Sequence, residues 1–135
     1  MINNTSILLC QHIITSKEKN LVNYINVIER ITIGGKLPIR VAPLAMGTVW
    51  QKEVNNDEEI DFKIRVYVDS PSKKKNRIIE TKVIKMKGLT HKVNFLMDGF
   101  EVTEEGDYKF ILESSENGSD FQYVGEIYFP VLLKK

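Results

Sequence analysis

Cys10 and His12 stand two residues apart, and His91 is the only other histidine in the chain. A thiol beside an imidazole can act as a nucleophile, and cysteine with histidine is a zinc-ligating pair. Both chemistries need further partners at diagnostic offsets, and the sequence supplies none. Next to Leu8, Cys10 reads instead as a small hydrophobe buried on a strand. The acidic stretches Asp57-Glu58-Glu59-Asp61 and 113–120 offer oxygen ligands to a hard cation, but neither has the spacing of a calcium loop. They read as polar turns. No phosphate-cradling glycine loop, nucleophile elbow or H-E-x-x-H helix occurs. The expectation is a protein that is not an enzyme, with no catalytic residue, no metal and no cofactor.

Lys73, Lys74, Lys75 and Arg77 concentrate four positive charges in one connector, chemistry suited to a phosphate or an acidic partner. No aromatic residue interleaves them for base stacking, so nucleic acid is a poor fit, and lysines at a hairpin tip also discourage aggregation. If every connector reverses the chain, this turn shares an end of the fold with 98–107, which carries Glu101, Glu104 and Glu105. The whole chain has nineteen basic and eighteen acidic residues, a formal charge of +1, and so no global field for a nucleic acid or an anionic membrane.

The elements that must carry these residues are strands. From Ile60 to Asp69 the even positions are all apolar and the odd ones mostly charged, which puts alternate side chains on opposite faces of a sheet. The last segment alternates in the other parity: Phe121, Tyr123, Ile127, Phe129, Val131 and Leu133 against Gln122, Glu126 and Pro130, the proline suggesting a sheet edge. Tyr108, Phe110 and Leu112 alternate with Lys109, Ile111 and Glu113, and Val93, Phe95 and Met97 form a shorter set. Four further β-branched stretches, 5–14, 22–33, 44–53 and 78–87, bring the total to about eight strands. A helix is the minority reading for Ser16 to Glu29, where Leu21, Val22, Tyr24, Ile25 and Ile28 could mark one helical face. Turn-forming residues recur at Gly34-Gly35, Ser70-Pro71-Ser72, Asp98-Gly99 and Asn117-Gly118-Ser119, the rhythm of a sandwich or barrel.

Glu104-Glu105-Gly106-Asp107-Tyr108-Lys109-Phe110 follows the immunoglobulin pattern in which a tyrosine hydroxyl bonds back to a nearby backbone group, with Phe110 where antibody domains place a cysteine. Ile7-Leu8-Leu9-Cys10-Gln11, then Asn20-Leu21 and the alternation Ile25-Val27-Ile28-Ile31, resembles a family of small bacterial immunoglobulin-like sandwiches, a domain of unknown function. In that family a strand ending in Leu-Cys-Asp precedes a Lys-Leu-Asn-Ile-Ile-Gly-like strand. Here Gln11 replaces the acid, and Glu29 or a neighbour replaces the glycine. The resemblance implies a fold and no activity.

The fold expected is therefore all-β: one immunoglobulin-like β-sandwich domain of about eight strands over residues 1–135. Apolar residues at 42% and charged residues at 27% suit a chain that folds by itself. The lone cysteine, with no signal peptide or membrane-spanning run, predicts a cytoplasmic location. The function expected is a non-enzymatic protein-binding or assembly module, acting through loops or a strand edge near the C-terminus, on another protein or on its own copy as a homodimer. Val124 and Tyr128 are expected to point away from the core on that strand, with Glu126 as slight charge protection. The alternative is an adaptor docking an anionic partner, such as nucleic acid, through Lys73, Lys74, Lys75 and Arg77 in the basic turn 73–77.

Overall fold

The computed structural model describes residues 2–16, 21–53 and 56–134. These form twelve strands and no helix: β1 (Ile2–Ser16), β2 (Leu21–Val27), β3 (Ile31–Ile33), β4 (Ile39–Arg40), β5 (Leu44–Lys52), β6 (Ile60–Asp69), β7 (Lys75–Glu80), β8 (Ile84–Met86), β9 (Thr90–Met97), β10 (Glu101–Val102), β11 (Gly106–Glu116) and β12 (Gln122–Leu133). The all-β expectation holds, but the expected eight strands become twelve. The additional ones, β3, β4, β8 and β10, have two or three residues each, too short to show a period-two pattern. The helical reading of 16–29 fails over Leu21–Val27, where β2 pairs antiparallel with β1; residues 17–20 lie outside the described ones.

Strands of one sheet run in the order β2-β1-β5-β9, and those of another in the order β3-β12-β11-β6-β7, with β8 also on β6; β4 and β10 make a separate pair. All these pairings are antiparallel except β3, which runs parallel to the end of β12. Side chains from both large sheets join one apolar cluster, with Leu9, Met46 and Trp50 from the first and Phe62, Ile64, Phe110, Leu112 and Phe129 from the second. The alternation read from β6 is realised: Phe62, Ile64 and Val66 are buried while Lys63, Arg65 and Tyr67 are only half-buried. Each fully buried aliphatic or aromatic side chain of this kind contributes about 1.5–3 kcal/mol.

Turn chemistry fixes the connections. Asn117 and Gly118 both have positive φ (50° and 77°), and Ser119 N donates to Glu116 O at 3.0 Å, which closes the β11–β12 hairpin with the twist such hairpins favour. At one end Tyr108, 2% exposed, donates its hydroxyl to the Glu104 carbonyl at 2.8 Å, the bond expected from the Gly106–Tyr108 motif. A side chain at Gly106 (φ 137°) would meet Pro71, so this glycine lets the 70–74 turn close against the same end. The basic turn and the acidic 98–107 stretch are thus neighbours, as the strand reversals imply.

Candidate interaction surface

The outer face of β6, β11 and β12 is ordered by register into three cross-strand rows. Arg65, Glu113 and Tyr123 form one; Tyr67, Ile111 and Glu126 the next; Asp69, Lys109 and Tyr128 the third. Directly opposite side chains in an antiparallel sheet touch, so each row is a contact chain. Arg65 Nη2 reaches Glu113 Oε1 at 3.1 Å, Lys75 Nζ reaches Glu113 Oε2 at 3.7 Å, and Lys109 Nζ lies 3.6 Å from Glu126 Oε2 and 4.0 Å from Asp69. The Arg65 guanidinium also covers the Phe121 ring at 3.8 Å, and Lys75 lies 4.1 Å from the Tyr67 ring centre. Tyr123 donates its hydroxyl to Glu126 Oε1 at 2.9 Å. That bond, then one from Tyr128 and the Lys109 charge, holds the Glu126 carboxyl below its ordinary range, and the same bond pushes the Tyr123 hydroxyl up.

Tyr123 and Tyr128 are nevertheless 59% and 61% exposed, the two large aromatic surfaces left open on this face. They flank an edge. β12 pairs with β11 along one side, but on the other side β3 takes only Val131–Leu133, so from Gln122 to Pro130 no strand pairs with it among the described residues. The edge inferred from Pro130 is therefore present.

Of the expected site residues, Glu126 and Tyr128 lie on the outer face and Val124 does not. Leu112 pairs with Gly125 and Glu113 with Tyr123, so Val124 is the extra residue of a β-bulge. The bulge reverses the parity: Val124 packs half-buried against the core, and Tyr123 turns outward. Tyr123 is the member of the surface missed in the sequence, where it was counted with the core-facing set. In the basic segment, Lys73 and Lys74 are exposed in the turn, but Lys75 and Arg77 belong to β7 and face carboxylates, Lys75 against Glu113 and Arg77 against Glu80 at 3.5 Å. Only Lys73 and Lys74 of the four lack an ion pair among the described residues.

The residues with reactive chemistry do not converge. Cys10 is completely buried where β1 passes from β5 to β2, opposite Ala45 on one side and Val27 on the other, and its thiol points to the His12 carbonyl at 3.3 Å. His12 itself is exposed, and His91 stands edge-on to Phe62, ring centres 6.2 Å apart. Among the described residues no group of three His, Cys, Asp or Glu side chains is placed to hold a metal ion. Two of the 57–61 acids meet lysines instead: Glu59 contacts Lys85 at 3.3 Å and Lys87 at 3.6 Å, and Asp61 lies 3.7 Å from Lys85. One polar residue escaped the sequence reading. Lys52, 4% exposed, directs its ammonium at the carbonyls of Asn56, Glu58 and Lys87. Its parity with Leu44, Met46, Thr48 and Trp50 was the available signal, because it places a charge on the core side of β5.

No family model matches the chain, and no curated protein matches it. Among solved structures it is similar to the alkylpurine DNA glycosylase AlkC of Pseudomonas fluorescens, bound to DNA containing an abasic site analog, at 8% identity over 93% of this chain and 30% of that one, TM-score 0.43. It is also similar to a β-glucosidase from Erythrobacter marinus, at 15% identity over 98% of this chain and 15% of that one, TM-score 0.44. The chain spans less than a third of the length of either. Likenesses at this distance assign neither an activity nor a ligand. Among the described residues no helix is long and apolar enough to cross a membrane.

Proposed function

We propose that the chain is an immunoglobulin-like sandwich module of the small bacterial family its motifs resemble, and that it works without catalysis by binding another protein chain, or its own copy, along the open edge of β12. The fold assignment is supported by the tyrosine bond at Glu104 and by strand order: β12-β11-β6-β7 corresponds to the G-F-C-C′ order of immunoglobulin sheets, and β5-β9 to B-E. A cytoplasmic setting is favoured by a single cysteine that is buried.

The observation that carries the binding reading is the unpaired run of β12 from Gln122 to Pro130 beside the exposed rings of Tyr123 and Tyr128. Backbone N–H and C=O groups along such an edge form a template for an added strand, and tyrosines at its flank supply rigid contact area. Natural edges are usually blunted by charges, prolines or bulges; here Glu126, Pro130 and the bulge at Val124 are such elements. The anionic-partner alternative has less support, because Lys75 and Arg77 are engaged by Glu113 and Glu80.

The test is the double replacement Tyr123→Lys with Tyr128→Lys, both on exposed side chains. Self-association by light scattering, or partner retention in a pull-down, should be lost while circular dichroism shows the fold intact, with only the small stability change that follows from losing the Tyr123–Glu126 bond. A wild type that is strictly monomeric at high concentration and retains no protein overturns the proposal.

A further inference from the structure

A cleft of about 780 Å³ opens where the chain crosses from β2 in one sheet to β3 in the other, between that crossover and the segment entering β5. Its floor is apolar: Ile33, Val41 and Leu44 are buried, and Ile31 and Ile39 are half-buried at its sides. Among the residues lining it there is no carboxylate, but there are two arginines, Arg30 and Arg40, with His12 beside them.

The chain has four arginines. Arg65 and Arg77 are ion-paired with Glu113 and Glu80. Arg30 and Arg40 have no ion pair or side-chain hydrogen bond among the described residues, although Glu101 stands opposite Arg40 in the β4–β10 register. The two arginines without an ion pair among the described residues thus line the same apolar cleft. A guanidinium presents a planar fork of donors that matches a carboxylate, and an apolar floor favours a hydrocarbon body. The volume falls within the range of about 300–1,000 Å³ typical of small-molecule pockets.

We infer that this cleft binds a small amphipathic carboxylate, an alkyl chain of medium length carrying one acid group, with the chain on Ile33, Val41 and Leu44 and the acid between Arg30 and Arg40. The site is separate from the β12 edge and does not depend on it.

The probe is decanoate, titrated below its micellar concentration into the isotope-labelled full chain and followed by amide shifts. Saturable shifts should cluster at 30–34 and 39–44. Decanol, which lacks the charge, and acetate, which lacks the chain, should each bind at least about tenfold more weakly, as should Arg30→Gln and Arg40→Gln. Gly34→Trp provides a steric probe: Gly34 lines the cleft, and a Cβ built there meets nothing within 4 Å, so a bulky side chain at the cleft wall is tolerated and should weaken decanoate binding. No saturable shifts, shifts mapping elsewhere, equal binding of decanol, or unchanged affinity in the Arg30→Gln/Arg40→Gln double variant each overturn the inference. The arginine variants keep the test decisive even if Gly34→Trp fails to fold.

Discussion

Replacing Tyr108 with phenylalanine removes one oxygen from a part-buried polar contact at the β11 end of the fold. The ring remains in place against Phe100 and Phe129, at centre distances of 6.1 and 5.8 Å, so no cavity term enters. What is lost is the bond to the Glu104 carbonyl at 2.8 Å and a long 3.4 Å contact from the Glu104 N–H. A neutral hydrogen bond contributes about 1 kcal/mol net, and a stranded buried acceptor adds up to about 1–3 kcal/mol. Glu104 is only half-buried, so water can reach its carbonyl and the lower figure applies. The expected loss is about 1 kcal/mol, or about 2–5 °C in melting temperature for a chain of this size. Urea denaturation of both proteins should give a lower midpoint with an unchanged slope. Glu104→Ala is the control: it deletes the side chain but keeps the backbone acceptor, and should cost no more than about 0.5 kcal/mol. A midpoint unmoved in Tyr108→Phe, or moved equally in Glu104→Ala, refutes the hydroxyl's role as the tie at this corner.

Lys52→Met should destabilise the chain by about 1–3 kcal/mol, because the thioether keeps the packed stem but leaves the Asn56, Glu58 and Lys87 carbonyls without their shared donor; chemical denaturation measures it, and an unchanged midpoint contradicts the bonding described. Cys10 should label slowly with a thiol reagent in the native chain and rapidly in urea, and equal rates would mean that the site is open. Tyr123→Phe should raise the Glu126 carboxyl toward its ordinary pKa in an NMR titration, since the Tyr123 hydroxyl is the largest influence lowering it. The sign follows from linkage: a lowered carboxyl stabilises the fold above its unfolded pKa and loses that contribution as pH falls through the folded value, so the variant should differ from wild type in neutral solution and converge with it in acid.

Much of the sheet structure was legible because burial on one face imposes a period of two. In β6 the sequence Ile60 to Asp69 carries that signal without interruption, and the Gly106-Asp107-Tyr108 turn announced its own hydrogen bond. The short strands were not legible. β3 exists through three partners at the end of β12, and β4 through two on β10, so their pairing depends on neighbours distant in sequence rather than on any local pattern. β2 was ambiguous for a related reason: Leu21 to Ile28 suits a helix as well as a strand, and the ladder to β1, not propensity, decides. Of the candidate surface, Glu126 and Tyr128 could be placed by counting, but Val124 and Tyr123 could not. A bulge shifts parity by one residue, and its one signal in the sequence was Gly125, an isolated glycine inside the alternating pattern.

That single inserted residue also decides what kind of recognition the β12 region favours. With Val124 turned inward, the outer face of β6, β11 and β12 is left with charges that already pair with one another: Arg65 with Glu113, and Lys109 with Glu126 and Asp69. Part-buried pairs of this kind add little net stability once their desolvation is counted, yet a partner lying flat on them must strip their remaining water without offering a better counter-charge. The edge has the opposite balance. Its outward backbone groups, apart from the bulge at Val124 and from Pro130, can pair with an added strand, and the nearest side chains are two tyrosines whose hydroxyls are directed to Glu126 and whose rings remain open. Recognition through the edge therefore leaves the charged rows undisturbed, whereas recognition through the face has to break them. For the binding proposed above, the physical balance favours the strand edge over the face, with Tyr123 and Tyr128 as the exposed contact area beside it.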